Sequence, residues 1–116
     1  MAFNDIEIAR INRAVSAFMQ TRRPKEAIRH QLDMSYRIDG QSVELFEIRP
    51  RYRGEAGETH ESPFAKLTYV RTQSIWKLYW MKSDLKWHSY DPWPESKTID
   101  PLLDIVAADK HACFFG

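Results

Sequence analysis

The apolar residues near the start of the chain recur with the spacing of one helix face. A repeat close to 3.6 residues predicts an amphipathic helix over about 4–20. Asn4 and Glu7 have the spacing of a capping box, with Asn at the capping position. Pro24 then ends the helical pattern. The repeating apolar positions are Ile8, Ile11, Val15, Phe18 and Met19.

From about residue 31 the apolar period changes to two, which is typical of strands with one buried face. Strands are predicted at about 31–38 and 42–49. Between them stands Asp39-Gly40, a strong signal for a tight hairpin, because such turns need positive φ angles. Residues 50–63 are polar and are predicted as a loop. Loops of that length are usually functional or mobile.

Three further runs rich in aromatic and β-branched residues predict strands at about 64–70, 75–81 and 85–90. A second amphipathic helix follows at about 99–109, and the apolar tail 111–116 is predicted to dock. The short connections imply an antiparallel meander of about five strands. Because each helix has an apolar stripe to bury, both helices are expected on one face of that sheet. The predicted class is α+β, with residues 1–116 as a single domain.

The length and charge of the chain narrow the function classes. A chain of 116 residues fits one domain. Its net charge of +1 excludes a strongly basic or acidic tail. This small net charge is the sum of segments with opposite charge. Residues 10–29 hold six basic residues and one acidic residue, whereas residues 91–109 hold one basic and five acidic residues. Residues 62–90 are again basic, with five Lys or Arg against one Asp.

The single cysteine, Cys113, excludes a disulfide framework within the chain and suits a reducing cytoplasm. The first residues have no signal-peptide pattern, and no apolar run is long enough to span a membrane. We therefore expect a cytoplasmic protein without a membrane partner. His111 and Cys113 offer only one close ligand pair, whereas structural zinc needs four ligands. The sequence predicts no metal and no cofactor. The remaining histidines are scattered, at His30, His60 and His88.

Strand alternation divides the later residues between two faces of the predicted sheet. Trp76, Trp80, Leu85 and Trp87 are assigned to the core face. Lysine, tyrosine and histidine alternate with them and are predicted to form a basic outer patch. Such a patch can bind an anionic ligand, or a single-stranded nucleic acid whose bases stack on aromatic rings. The outer set is Lys66, Thr68, Lys77, Tyr79, Lys86, His88 and Tyr90, with Arg49 at its margin.

Other interpretations remain open at the sequence level. Lys and Tyr are also what a solvated sheet face carries. A homodimer is a second interpretation, favoured by the aromatic content and by Trp93 between two prolines. A small nucleic-acid hydrolase is a third, with Glu47 and His88 as an acid–base pair, similar only in composition to ribonuclease toxins. The main expectation is a non-enzymatic binding module.

Several ordered blocks resemble the DUF3024 family, which is bacterial and has no assigned function. The resemblance covers roughly residues 30–116 and implies a small bacterial protein. The blocks that carry it are Gly40–Pro50, Ser62–Val70, Ile75–Trp80, Asp84–Tyr90 and His111–Gly116.

Overall fold

The computed structural model describes residues 2–51 and 57–115. The chain is α+β, with a helix at each end of an antiparallel sheet, as the sequence predicted. In chain order the elements are helix α1 (Asp5–Arg22), a short 3-10 turn (Glu26–Ile28), strands β1 (Asp33–Asp39), β2 (Ser42–Pro50), β3 (Thr59–Val70), β4 (Ile75–Met81), β5 (Trp87–Ser89) and β6 (Glu95–Ser96), and helix α2 (Ile99–Ala108).

Strands β1 to β5 lie side by side in chain order, so the sheet is the predicted antiparallel meander. The first hairpin differs from the prediction by one residue. Asp39 pairs with Ser42, which makes Gly40 and Gln41 the central turn residues. Only Gly40 has a positive φ, +58°. Glycine adopts that angle without the steric cost that a side chain would bring.

The predicted loop 50–63 is too long at both ends, because β2 includes Pro50 and β3 begins at Thr59. Residues 52–56 lie outside the described part of the chain. Proline usually interrupts a strand, but β3 has only β2 beside it until Ala65 meets β4. The register shifts there, with Phe64 as the extra residue next to Pro63. At such an edge the missing N–H of proline leaves no ladder bond unmade.

The second edge of the sheet is one strand interrupted by a loop. β5 pairs with one part of β4 and β6 with another part. The sequence predicted β5 over about 85–90 and did not predict β6. Leu78 bridges the gap, because its carbonyl accepts from the Tyr90 amide at 3.0 Å and its amide donates to the Pro94 carbonyl at 2.9 Å. Residues 91–93 therefore loop out from a continuous edge.

Helix α1 begins with the predicted capping box. The Asn4 side chain accepts from the Glu7 amide at 2.8 Å, and the Glu7 side chain accepts from the Asn4 amide at 2.9 Å. Both helices and one face of the sheet contribute to a shared hydrophobic core. Its fully buried members include Val15 of α1, Val106 of α2 and Leu67 of β3. Among the described helices, none is long and apolar enough to span a membrane.

The tail after α2 docks on the core through Phe114, which is buried, and Phe115. Asp109 ends α2 in the left-handed conformation, with φ +43°. Its carboxylate then accepts from the amides of Phe114 at 3.0 Å and Phe115 at 2.9 Å. The Phe115 ring lies under the guanidinium of Arg22, at the end of α1, with 3.9 Å to the ring centroid. The tail thus joins the ends of the two helices.

Candidate functional site

The outer face of the sheet, which carries no helix, holds part of the predicted basic patch. Lys66 pairs with Tyr79, and Thr68 pairs with Lys77. These four side chains alternate with buried Leu67 and Leu78, so they point away from the core. They are half-buried rather than fully solvated. The sequence therefore placed these four residues on the correct face.

The rest of the patch is wrongly placed, because the β4–β5 turn contains three residues, Ser83 to Leu85. Lys82 and Lys86 flank it, with the Lys82 amide donating to the Lys86 carbonyl at 3.2 Å. The side chains of β5 therefore point to the opposite faces from those predicted. Met81 pairs with Trp87, which faces outward, and Trp80 pairs with His88, which faces the helix side.

Five assignments change as a consequence. Trp87 belongs to the outer face, where the Lys66 ammonium lies 5.9 Å from its ring centroid. Tyr90 is buried, with 2% exposure, against Phe114. Leu85 is 81% exposed rather than core. Lys86 is exposed before β5 begins, and His88 hydrogen-bonds Asp84 at 2.8 Å instead of joining the lysines.

The outer face is also less basic than the sequence suggested, because acidic residues lie opposite its cations. Glu44 is the direct cross-strand neighbour of both Arg37 and Lys66. Lys77 lies opposite Glu95. Arg37 also forms an ion pair with Glu61, and its guanidinium covers the Phe46 ring at 4.3 Å. Neighbouring opposite charges largely cancel at a distance, so this face does not form a strong cationic field.

Glu47 and His88 do not form an acid–base pair. Glu47 is on β2 and His88 is on β5, three strand spacings away, or about 14 Å. General acid–base catalysis needs partners within hydrogen-bond reach, directly or through one water. Arg49 forms an ion pair with the Glu47 carboxylate at 3.7 Å. Arg49, which was predicted at the margin of the basic patch, thus belongs to β2 beside Glu47 rather than to the cluster of lysines.

The metal-ligand types are dispersed. Within residues 2–51 and 57–115, no three His, Cys, Asp or Glu side chains gather where they could hold one ion. Cys113 is half-buried, and its thiol donates to the His111 carbonyl at 3.6 Å. Burial raises the pKa of the Cys113 thiol, which favours its neutral form.

A cavity of about 370 Å³ opens on the helix side, between the first half of α1 and the start of α2. Its floor is a group of three aromatic rings. Phe3 and Trp76 are stacked with centroids 5.6 Å apart, and Tyr69 lies 5.3 Å from Trp76. These residues come from the N-terminal segment and from two adjacent strands. The volume falls within the range of small-ligand pockets.

The rim of this cavity carries three basic side chains, Arg10, Arg13 and Lys97. Among the described residues, none of them has a carboxylate within ion-pair distance. Arg10 and Arg13 are one helical turn apart on α1, whereas Lys97 precedes α2. Unpaired cations beside an apolar floor are available to an incoming anion. The residues that line the cavity are Phe3, Glu7, Arg10, Ile11, Arg13, Ala14, Tyr69, Trp76, Lys97, Thr98, Ile99 and Asp100.

Two carboxylates also line the cavity. The charge of one of them, Glu7, is neutralised by Arg71, which does not line the cavity. Glu7 accepts from both terminal nitrogens of Arg71, at 2.7 and 3.0 Å, while Arg71 also donates to the Ala2 carbonyl at 3.1 Å. These bonds from Arg71 hold the pKa of the Glu7 carboxyl below its ordinary value. Asp100 is the second carboxylate. The cationic side chains therefore outweigh the free negative charge at the rim.

The start of α2 forms one wall of the cavity. Thr98 is the N-cap residue, but in the described part of the chain its side chain makes no capping hydrogen bond. The first N–H groups of a helix have no partner within the helix and carry a partial positive charge. This wall adds a modest attraction for anions to that of the side chains.

A family model described as "Domain of unknown function (DUF3024)" matches residues 3–116. The chain belongs to the DUF3024 family. The match includes Phe3 and α1, so it extends beyond the 30–116 region in which the resemblance was noted. No curated protein and no solved structure matches the sequence.

No pattern in the sequence singles out the cavity of this DUF3024 chain. Its residues come from three separate segments, 3–14, 69–76 and 97–100, and none of these segments has a motif. One weak signal was present. The basic excess over residues 10–29 includes Arg10 and Arg13, which carry most of the rim charge. Nothing in the one-dimensional pattern indicates that they face Trp76.

Proposed function

We propose that this protein is a non-enzymatic binding module for a small anionic ligand, held in the cavity between α1 and α2. The observation that carries the proposal is the set of three cations around one apolar cavity, Arg10, Arg13 and Lys97, none of which has an ion-pair partner within residues 2–51 and 57–115. This proposal keeps the anionic ligand that the sequence suggested. It assigns the binding site to the helix side of the sheet instead of the outer face.

The chemistry of the rim suits a carboxylate or phosphate group. A guanidinium has several N–H donors in a fixed plane and binds such anions through two parallel bonds. Arg10 and Arg13 are both exposed, so an anion can reach them. Lys97 approaches from the other side of the opening, as part of the segment that leads into α2. Together the three side chains define where the charged group of the ligand sits.

The proposal is tested by calorimetric titration with 2-naphthoate and with its uncharged counterpart, 2-naphthamide. The acid is expected to bind at least about tenfold more tightly than the amide, because a hydrogen bond to a charged group contributes about 1.5–3 kcal/mol. Raising the salt concentration should weaken binding of the acid only. Equal affinities for acid and amide would contradict the proposal.

Two matched variants test which cations bind the charged group of the ligand. Arg13→Ala is expected to weaken 2-naphthoate binding by about tenfold. Lys77→Ala removes a cation from the outer face of the sheet and is expected to leave the affinity unchanged, because Lys77 lies outside the cavity. If Lys77→Ala weakens binding and Arg13→Ala does not, the site is the outer face instead.

A second candidate is binding of single-stranded nucleic acid on the outer face. Its support is the cluster of Trp87, Lys66 and Tyr79, which places aromatic rings beside a cation on a surface without a helix. Glu44 and Glu95 count against it. Titration with a uridine oligomer at two salt concentrations tests it, with Trp87→Ala as the variant. Absence of salt-dependent binding removes this candidate.

The cellular setting is part of the proposal. We propose a bacterial, cytoplasmic protein, supported by the family resemblance and by a single thiol at Cys113. A homodimer also stays a prediction, for which Trp93 is the exposed aromatic residue available, with 52% exposure. Light scattering over a range of concentrations decides it, because a strictly monomeric mass at every concentration excludes the dimer.

A further inference from the structure

The aromatic floor of the cavity carries an inference about the kind of anion. Phe3, Tyr69 and Trp76 form a continuous group of rings with Trp76 in the middle, because Phe3 is stacked on Trp76 and Tyr69 is tilted against it by 49°. Phe3 and Trp76 keep only 7% and 8% of their surface exposed. Both line the cavity, so part of the surface left to them meets the ligand space. A charged group alone would leave this apolar floor in contact with water.

The aromatic floor is held in place by the contacts of Arg71. Arg71 lies over the Tyr69 ring at 5.6 Å and binds Glu7 through two bonds, so it fixes Tyr69 relative to α1. The same guanidinium donates to the Ala2 carbonyl, immediately before Phe3. The aromatic floor is thus organised before any ligand enters, which lowers the entropic cost of binding.

We propose that the ligand is a planar aromatic acid, with its ring against the aromatic floor and its carboxylate or phosphate between the rim cations. This inference rests on the proposed function and specifies the ligand class of the same site. Aromatic rings attract one another in offset or edge-to-face arrangements, at centroid distances of about 4.5–7 Å. The ligand ring would join a group of rings whose centroids are already spaced in that range, at 5.6 and 5.3 Å. Arginine side chains also stack on planar rings, so Arg10 and Arg13 favour the same ligand shape.

The cavity volume sets the size of this ligand. At about 370 Å³ the space is near the lower end for small-molecule sites. One or two fused rings with one charged group fit such a space, whereas a long chain or a polymer does not. The inferred class is therefore a compact aromatic carboxylate or aromatic phosphate.

The closing experiment compares 2-naphthoate with decahydro-2-naphthoate, which has the same charge and a saturated, non-planar ring system. Because ring–ring pairs contribute about 0.5–1.5 kcal/mol beyond apolar burial, the aromatic acid is expected to bind about threefold to tenfold more tightly. In a nitrogen NMR spectrum the indole signal of Trp76 should move on binding, and that of Trp93 should not.

A matched pair of variants assigns the preference to the floor. Phe3→Leu removes one of the three rings of the floor and is expected to reduce the affinity ratio between the two acids, with both acids still bound. Trp93→Leu removes an exposed aromatic residue outside the cavity and should leave the ratio unchanged. Far-ultraviolet circular dichroism of each variant establishes that the fold is kept.

The outcomes separate the inference from the proposed function. If both acids bind with equal affinity, and more tightly than the amide, the aromatic inference is overturned and the proposed function stands. If neither acid binds, the proposed function is overturned, and the inference falls with it. A preference that survives Phe3→Leu unchanged also overturns the inference, since the floor would not then be its source.

Discussion

A single carboxylate, that of Asp109, determines how the end of the chain meets the rest of the molecule. It combines an unusual backbone angle with two hydrogen bonds to amides five and six residues later. Aspartate tolerates the left-handed conformation better than most residues, and an ionised carboxylate accepts two bonds at once. Without this side chain, the amides of Phe114 and Phe115 would lose their partners beside the core.

Asp109→Ala is therefore expected to lower the free energy of unfolding by about 3 kcal/mol, since it removes both bonds and strains the backbone. Asp109→Asn keeps one acceptor and tolerates the angle, so about 1 kcal/mol is expected. Urea denaturation measures both. Asp104→Asn, an exposed position on the same helix, serves as the control and should change stability by less than about 0.5 kcal/mol. A loss in Asp109→Ala no larger than this control would refute the role of the carboxylate.

Predictions for single residues were reliable where the interacting residues are close together in the sequence. The Asn4–Glu7 capping box spans four residues, and the structure confirms it. Asp109 could not be identified in the same way, because its partners follow a change of direction that the sequence does not mark. Gly40 lies between these cases. The sequence predicted the turn, but the position of the turn depended on strand register.

At the level of elements, the orientation of β5 depends on the length of one turn. Three residues separate Lys82 from Lys86, and Leu85 takes the left-handed conformation, with φ +61°. A three-residue hairpin loop usually has such a residue at its end, where glycine is preferred. The predicted strand bounds also left three residues for this turn, but the sequence offers no glycine to fix its position. The register of β5 was therefore not evident, and Trp87 and His88 were predicted on the wrong faces.

Leu85→Gly is expected to stabilise the protein by about 0.5–1 kcal/mol. The substitution relieves a left-handed leucine, which costs about 1–2 kcal/mol, and loses part of that gain to the greater freedom of glycine in the unfolded chain. Leu85 is 81% exposed, so little packing is lost. The midpoint of urea unfolding measures the change. Leu85→Ala keeps the strained angle, and a gain of equal size in that variant would show that backbone strain is not the cause.

At the scale of the whole molecule, carboxylate–cation contacts join segments that are distant in sequence. Asp33 binds Arg23 through two bonds, at 2.8 and 3.0 Å, and so ties the start of the sheet to the end of α1. These bonds hold the pKa of the Asp33 carboxyl below its ordinary value. Hydrogen bonds from Arg71 and from His88 lower the pKa of Glu7 and Asp84 in the same direction.

A carboxyl whose pKa is lowered by folding stabilises the folded state when it is ionised. Its contribution is complete above the ordinary value, about 4, and disappears as the pH falls through the lower folded value. We therefore expect the urea midpoint to fall between about pH 5 and pH 3. Asp33→Asn should cost about 1 kcal/mol or less at pH 7, because such pairs are partly exposed. The difference between variant and parent should shrink below about pH 4. A constant difference across the whole pH range would exclude the Asp33–Arg23 contact as its origin.

The sequence thus predicted the fold class, the antiparallel meander and the two helices, because each follows from the local spacing of apolar residues. It did not predict the cavity, which forms only where Phe3, Trp76 and Lys97 come together from three parts of the chain. The predicted basic patch was half correct. Lys66 and Lys77 share a face, but pairing with β2 and β6 places Glu44 and Glu95 opposite them.

The packing of α1 on α2 also bears on how the protein is made in the cell. The apolar stripe of α1 leaves the ribosome about 90 residues before α2 does. At about 5–20 residues per second, that interval is roughly 5–20 s. During this time the strands can pair with their chain neighbours, whereas Ile11, Val15 and Phe18 await their partner helix. A chain stalled before α2 is made therefore leaves part of the apolar stripe of α1 uncovered, which is the kind of surface that makes incomplete chains prone to aggregation.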